Sequence, residues 1–366
     1  MFISSYIYDL SPNFHFFCRE RGRLGLKKKK LSIEDLQVLV QEMTVVPPDP
    51  KTPYLMKTEV ITAEESPDGK LTWNLLLSSS HLIEEFLKDG QEELICMDHT
   101  HSLCVENCPV MFVGRVSRAG HFCPFGIVIG NKEAASNSKF VLEWIRDNCS
   151  VPPVAVIADG AAAFTAALRE IFPDTLRLMC FFHVMKNVKD KLSAVDTRIA
   201  SSLTRDIRDL AAFSIDEDTN NLLLRLFKEK WTKLPDDMAA ETKMKIEEFI
   251  NYFFATWVND SARRKWFQGA SPCHAYTNNS LEGSNSIIKR DFTIREKLSL
   301  PQLLKELGDY LLDKTNLSMK NVARKSTKEE VYNATSLLWS VRNSLPDDDV
   351  HRVMPFKNVL RNSGKR

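Results

Sequence analysis

Charge of one sign is what this 366-residue sequence lacks most: 49 Lys and Arg stand against 48 Asp and Glu, a net charge of +1. Net charge therefore says nothing about nucleic acid, and any basic surface has to be local. Long apolar runs are missing too. The aromatic-rich start, MFISSYIYDLSPNFHFF, is broken by Asp9, Pro12 and Asn13 before it reaches a spanning length. It has neither the positive start nor the small-residue cleavage site of a signal peptide, and no other segment approaches transmembrane length. No membrane partner is expected. The eight cysteines, at positions 18, 96, 104, 108, 123, 149, 180 and 273, are too scattered for a disulfide framework. They point to a reducing compartment. What remains is a globular composition, 43% hydrophobic and 27% charged. At ~150 residues per domain, two or three units sharing one or two cores are expected.

The order of elements narrows the fold. Residues 1–30 read as an irregular basic leader whose Lys27–Lys30 run is either a nuclear-import patch or a solvated linker. Residues 31–90 read as an accessory subdomain. LSIEDLQVLVQEM places Ile33, Leu36, Leu39 and Val40 at helical spacing, VVPPDPKTP is a turn, and KLTWNLLLSSSHLIEEFLKDG is a strand, a polar break and a helix. Residues 91–190 run β-β-β-α-β-α-β-α, which predicts an α/β fold with a mixed sheet covered by helices. Residues 191–275 change character. Ile199, Leu203, Ile207 and Leu210, then Ile246, Phe249, Ile250, Phe253 and Trp257, keep helical spacing and predict an all-helical block. Residues 276–320 hold a further helix and complete the core, and 321–366 form a C-terminal tail.

Two aspartates end apolar runs in the sheet region: Asp98 after LICM and Asp159 after VAVIA. Such a residue is often only a turn former, as Asp-Gly favours turns. Two carboxylates at neighbouring strand ends, however, repel each other unless a cation lies between them. The carboxyl edge of an open α/β sheet is also where ligands bind. A third feature is TNNSLEGSNSIIKRDF, residues 277–292. It starts like a helix capped by Asn278, Asn279 or Ser280, with Leu281, Ile287 and Ile288 as its apolar stripe. Glu282, Asn285 and Lys289 share its polar face, so Glu282 is either a first-turn acid favoured by the helix dipole or part of a site.

These pieces together resemble one family. MDHTH, VIADGAAAFTAAL followed by LMCFFHVMKNV, and TNNSLEGSNSIIKR, in this order, look like the motif blocks of a Mutator-like element (MULE) transposase, an RNase H-like Asp-Asp-Glu enzyme. The resemblance covers roughly residues 91–300. It implies an RNase H-like mixed sheet flanked by helices and interrupted by a helical insertion before the helix of the catalytic Glu. It also implies that Asp98, Asp159 and Glu282 hold two Mg²⁺ or Mn²⁺ ions. Hard divalent cations prefer carboxylate oxygen, and a pair of them serves phosphodiester hydrolysis and strand transfer. The implied partners are DNA, as transposon ends and target, and further copies of the chain. The implied location is the nucleus.

Other residues have less settled roles. Cys180 and His183 are half a zinc site, with Cys273 and His274 as the other half. Alternatively His183 supports the carboxylates, or Cys180 is buried and His183 caps its helix. A zinc site from His99, His101, Cys104 and Cys108 is a further option. Phosphate contacts are expected from Lys186, Lys189 and Lys191, from Arg263, Arg264 and Lys265, and from Lys289 and Arg290. Trp266 is either a base-stacking platform or core. Only His15 and Cys18 among zinc-type ligands precede residue 81, and only His351 follows 274. A zinc-binding DNA-recognition module of the kind many relatives carry is therefore not expected in this sequence; it is either truncated or supplied by another chain. The competing expectation is a domesticated, non-catalytic remnant that binds DNA or chromatin.

Overall fold

The computed structural model describes residues 32–66, 69–89, 94–116, 122–131, 135–270 and 279–316. The leader 1–30, the tail 321–366, Asn278, Cys273 and His274 lie outside the described residues. The elements in chain order are α1 (Ile33–Met43), β1 (Tyr54–Ile61), β2 (Thr72–Ser78), α2 (Ser80–Asp89), β3 (Leu94–Thr100), β4 (Val110–Val116), β5 (Phe122–Gly130), α3 (Ala135–Asn148), β6 (Ala155–Ala158), α4 (Ala162–Ile171), β7 (Leu176–Met179), α5 (Phe181–Lys191), α6 (Thr197–Phe213), α7 (Glu217–Thr232), α8 (Ala240–Phe253), α9 (Asn279–Ile287) and α10 (Leu300–Asn316). No helix among the described residues is long and apolar enough to cross a membrane.

All seven strands form one sheet in the order β1-β2-β5-β4-β3-β6-β7. The chain lays β3, β4 and β5 down as an antiparallel meander. It then crosses over through α3 and α4 to add β6 and β7 parallel to β3. A meander followed by two parallel strands on its first edge is the RNase H-like arrangement. The strands β1 and β2 continue the sheet on the far side through β2 and β5, so residues 31–90 do not stand apart as an accessory layer.

Side-chain alternation divides the core into two sheets of packing. Leu75, Leu77, Cys96, Phe112, Ile127, Ile129 and Ile157 face one side, where Leu36 of α1, Leu281 of α9 and Leu303, Leu307 and Leu311 of α10 cover them. Leu76, Ile95, Met97, Met111, Val113, Val128 and Val156 face the other, under α2, α3 and α4. One glycine in the sheet is required by close approach. A Cβ on Gly114, at the bulge between β4 and β5, would lie 2.3 Å from the carbonyl oxygen of Cys123.

A third core belongs to the helical region. Leu203, Ile207, Leu224, Phe227, Ile246, Phe249, Phe253 and Trp257 pack on Val184, Met185 and Val188 of α5. The apolar spacings of α6 and α8 make each helix two-faced, so these helices bury their stripes against one another rather than against the sheet. The returning segment is fastened to the sheet edge, where the Met179 amide donates to the Lys265 carbonyl at 2.8 Å.

Candidate functional site

Strand register explains why the two aspartates share one edge of the sheet. Cys96 of β3 pairs with Ile157 of β6 in parallel, the last pair of that ladder, and Asp98 and Asp159 each follow two residues on. Asp98 continues the alternation that points Cys96 toward α9, whereas Asp159 follows the last residue of β6. The sequence pattern puts Asp98 at a strand end, yet β3 continues to Thr100 because β4 still pairs with it beyond the end of β6. Asp98 is consequently only 3% exposed.

Three groups converge on this point. The ligand atoms of Asp98, His183 and Glu282 all lie within 4.8 Å of one another. His183 Nε2 is 3.6 Å from Asp98 Oδ1 and 3.5 Å from Glu282 Oε1. Asn285, one turn beyond Glu282, donates its amide to Asp98 Oδ2 at 2.9 Å across 187 residues of sequence. Asp98 Oδ1 is buried without a hydrogen bond, as is His183 Nδ1. Asp159 lies outside the 4.8 Å group; its Oδ1 accepts from the Ala161 amide at 3.0 Å, at the start of α4. Its charge is nonetheless felt at both Asp98 and His183.

Electrostatics follow from burial and like charge. Burial first, and then the Glu282 carboxylate opposite it, push the Asp98 acid up to about 9. Burial also lowers His183, which favours the neutral imidazole, against the pull of Glu282 and Asp159. The site is therefore rich in oxygen acceptors and poor in compensating cations at its floor. A divalent cation suits that donor set, and the unbonded Asp98 Oδ1 supplies a free lone pair for it. Below Asp159, the Arg177 guanidinium of β7 is buried over the Phe164 ring at 4.9 Å and donates to the carbonyl oxygens of Leu178 and Asp159. Burial brings its pKa down to about 10.

A cavity of about 470 Å³ opens on this group, lined by Asp98, His183, Glu282 and Asn285 and rimmed by Lys186, Lys289 and Arg295. Arg295 reaches the rim because the helix of Glu282 ends in a π turn, Ile288–Phe292, after which Ile294 and Arg295 take positive φ values of 50° and 59°. Positive φ at a β-branched isoleucine is strained and marks the turn as held from outside.

The remaining expected site residues are spread around this centre. Lys186 and Lys289 are on the rim, whereas Arg290 pairs with its neighbour Asp291 at 2.6 Å. Lys189 and exposed Lys191 continue α5 outward, with Lys191 over the Tyr252 ring at 5.0 Å. Arg264 pairs with Glu217 at 2.9 Å, and Lys265 holds Met179 through its carbonyl. Arg263 lies 3.7 Å from Asp260; its Nε would stand 3.8 Å from a Cβ on Gly160, next to Asp159. Trp266 requires a correction. It is 1% exposed, stacks on Phe181 and donates its indole N–H to the Trp257 carbonyl at 2.7 Å, so no base can reach it.

Cys180 is buried as the N-cap residue of α5, without a side-chain cap bond, and lies outside the group formed by His183. Cys104 donates to Glu106 at 2.6 Å, and His99, His101, Cys104 and Cys108 form no metal-type group among the described residues. Arg177 and Arg295 were not expected in the site, and Asn285 was read only as sharing the polar face of Glu282. That shared face, one turn on, was the available signal for Asn285. For Arg177, a cation inside an apolar strand was the available sign.

Residues 94–187 match the family model described as the MULE transposase domain. That span includes Asp98, Asp159 and His183 and stops before Glu282. A comparison with curated proteins found no match. Among solved structures, one match is a chain of the Drosophila P element transposase strand transfer complex, 9% identical with a TM-score of 0.39, over 65% of this chain and 81% of that one.

Proposed function

We propose that this chain, which carries a MULE transposase domain over residues 94–187, is the catalytic part of a DNA transposase. It cleaves a phosphodiester at a transposon end and joins the freed 3′-OH to target DNA. The observation that supports this reading best is the convergence of Asp98, Glu282 and His183 from three elements at the mouth of a cation-rimmed cavity. Asp98 and Glu282, with Asp159 just past the end of the neighbouring strand, would hold two Mg²⁺ or Mn²⁺ ions. When bound, such ions activate the attacking oxygen and stabilise the leaving one.

The chain's own groups prepare that chemistry. Asn285 fixes one Asp98 oxygen and leaves the other free. His183, kept neutral by its burial, turns Nε2 toward both carboxylates and orients them. Arg177 pins the backbone at Asp159. Lys186, Lys289 and Arg295 draw the phosphate backbone to the rim. Two ends must be joined at one target, so the working form is a homo-oligomer. It acts in the nucleus.

A second reading, a domesticated DNA-binding remnant, is favoured by the position of Asp159 outside the 4.8 Å group. Nicking of a labelled duplex by the purified chain, with Mg²⁺, Mn²⁺ or EDTA, separates the two. Metal-dependent cleavage is expected, with Glu282→Gln and Asp159→Asn lowering it by about 10³-fold or more while DNA binding persists. Wild-type DNA binding with no cleavage in either metal would establish the remnant. Full cleavage by Asp159→Asn would remove Asp159 from the ligand set.

A further inference from the structure

A second cavity, of about 420 Å³, lies one turn along α5 from the first, between the end of that helix and α6. Lys189, Arg205 and Arg208 line it, and no carboxylate does. The lining residues of α6 recur at helical spacing. Thr197, Ser201, Thr204, Arg205 and Arg208 fall on one stripe, opposite the buried Leu203, Ile207 and Leu210. The stripe thus offers hydroxyls and guanidinium groups together. None of the three cations forms an ion pair with a carboxylate among the described residues. An ordinary solvated helix face mixes both signs, and the other side of α6 does so: Asp206 there accepts from Lys230 and from Trp231 at 2.7 and 2.8 Å.

The two cavities share α5. Lys186 rims the first and Lys189 lines the second. Three residues of helix rise set their backbone positions about 4.5 Å apart along α5, on neighbouring positions of one helix face. Guanidinium and hydroxyl donors facing an open groove suit the oxygens of phosphate groups. We infer that the α5–α6 cavity binds successive phosphates of the DNA strand that flanks the scissile phosphodiester, continuing the backbone away from the acid group. This rests on the reading of the first cavity as a DNA-cleaving site.

The test is a fluorescence titration of two unrelated labelled duplexes in EDTA, over a series of KCl concentrations. The full chain is compared with Arg205→Gln/Arg208→Gln, with Ser201→Asp, and with Lys243→Gln/Lys245→Gln, whose lysines line neither cavity. The double arginine variant should weaken both duplexes equally and reduce the slope of log affinity against log salt by about 1.8, two contacts at ~0.9 each. Ser201→Asp, which adds a like charge to the phosphates, should weaken both duplexes as well. The lysine pair should leave the slope at the wild-type value. Ser201, Arg205 and Arg208 are exposed and the two lysines half-buried, so the variants should keep the fold, which thermal unfolding checks. A wild-type slope in both cavity variants, with DNA still bound, would overturn the inference and leave the cleavage site standing. No binding of either duplex by the wild-type chain would instead overturn the DNA reading itself, and this inference with it. Calorimetry with inorganic phosphate covers a small-anion cavity: phosphate binding lost in the arginine variant, with duplex binding unchanged, would also overturn the strand assignment.

Discussion

The two cavities that share α5 are assembled in opposite ways. The acid cavity gathers residues from β3, α5 and α9, with 187 residues between Asn285 and its Asp98 partner. The basic cavity draws most of its polar lining from one stripe of α6. The first exists only when the sheet is closed; the second is written into the spacing of one helix. A site that must place opposed charges accurately leans on long-range packing, whereas a groove that needs only positive charge is served by a local repeat.

The largest expected effect tests whether the two regions are separable. Phe253 is fully buried in the helical core, in ring contact with Phe227, Phe249 and Trp266. Phe253→Ala should cost about 3–5 kcal/mol of stability by thermal or denaturant unfolding. Mg²⁺ binding at the acid cavity, measured by calorimetry well below the midpoint, should survive. Its loss in a folded variant would mean that the helical core sets the geometry of the acid group as well.

A smaller effect belongs to the long-range contact itself. Asn285→Ala removes a buried hydrogen bond to a carboxylate, worth roughly 1.5–3 kcal/mol. Metal-dependent nicking should fall by roughly 10- to 100-fold, with the apparent metal affinity falling alongside and duplex binding in EDTA unchanged. If nicking and metal affinity both stay at the wild-type level, Asn285 is only a filler and the acid cavity is less dependent on α9 than its geometry implies.

The smallest concerns Asp209, half-buried on α6, whose carboxyl is pushed up to about 6, first by burial and then by Asp206. A folded value above the unfolded one means that the folded chain holds this proton more tightly. Stability contributed by the group is complete below pH ~4 and is lost as pH rises through about 6. Asp209→Asn should therefore stabilise the chain at pH 7–8, by roughly 1 kcal/mol after allowance for solvent screening, and leave it unchanged near pH 4. An equal gain at both pH values would locate the effect elsewhere.

How much of this was legible in the sequence depended on range. The meander and the alternating strands were readable because LICM, VMFV and VAVI are short apolar runs bounded by turn residues. The strand β1 was not read. YLMKTEVI is a half-buried edge strand, and a register shift between Leu55 and Lys57 breaks its alternation. The aspartates were noticeable as strand-end acids, but their shared edge depends on the β3–β6 pairing, which no local pattern encodes. The three cations before Trp266 left it open in the sequence between a surface platform and core. Those cations line a return segment whose next residue turns inward against Phe181 and Phe253.

The hydrogen bond between the Met179 amide and the Lys265 carbonyl has one more implication. It closes the departure and the return of the chain at a single point on the sheet edge, just before α5 sets out. Everything between hangs from that clasp as a pendant whose length has little influence on what lies behind it. The entropy of closing such a loop grows only with the logarithm of its size, by ~0.6 kcal/mol for each doubling. Lineages that lengthen, shorten or replace the helices after α5 can thus keep the acid edge in place, provided that the clasp and the buried face of α5 remain.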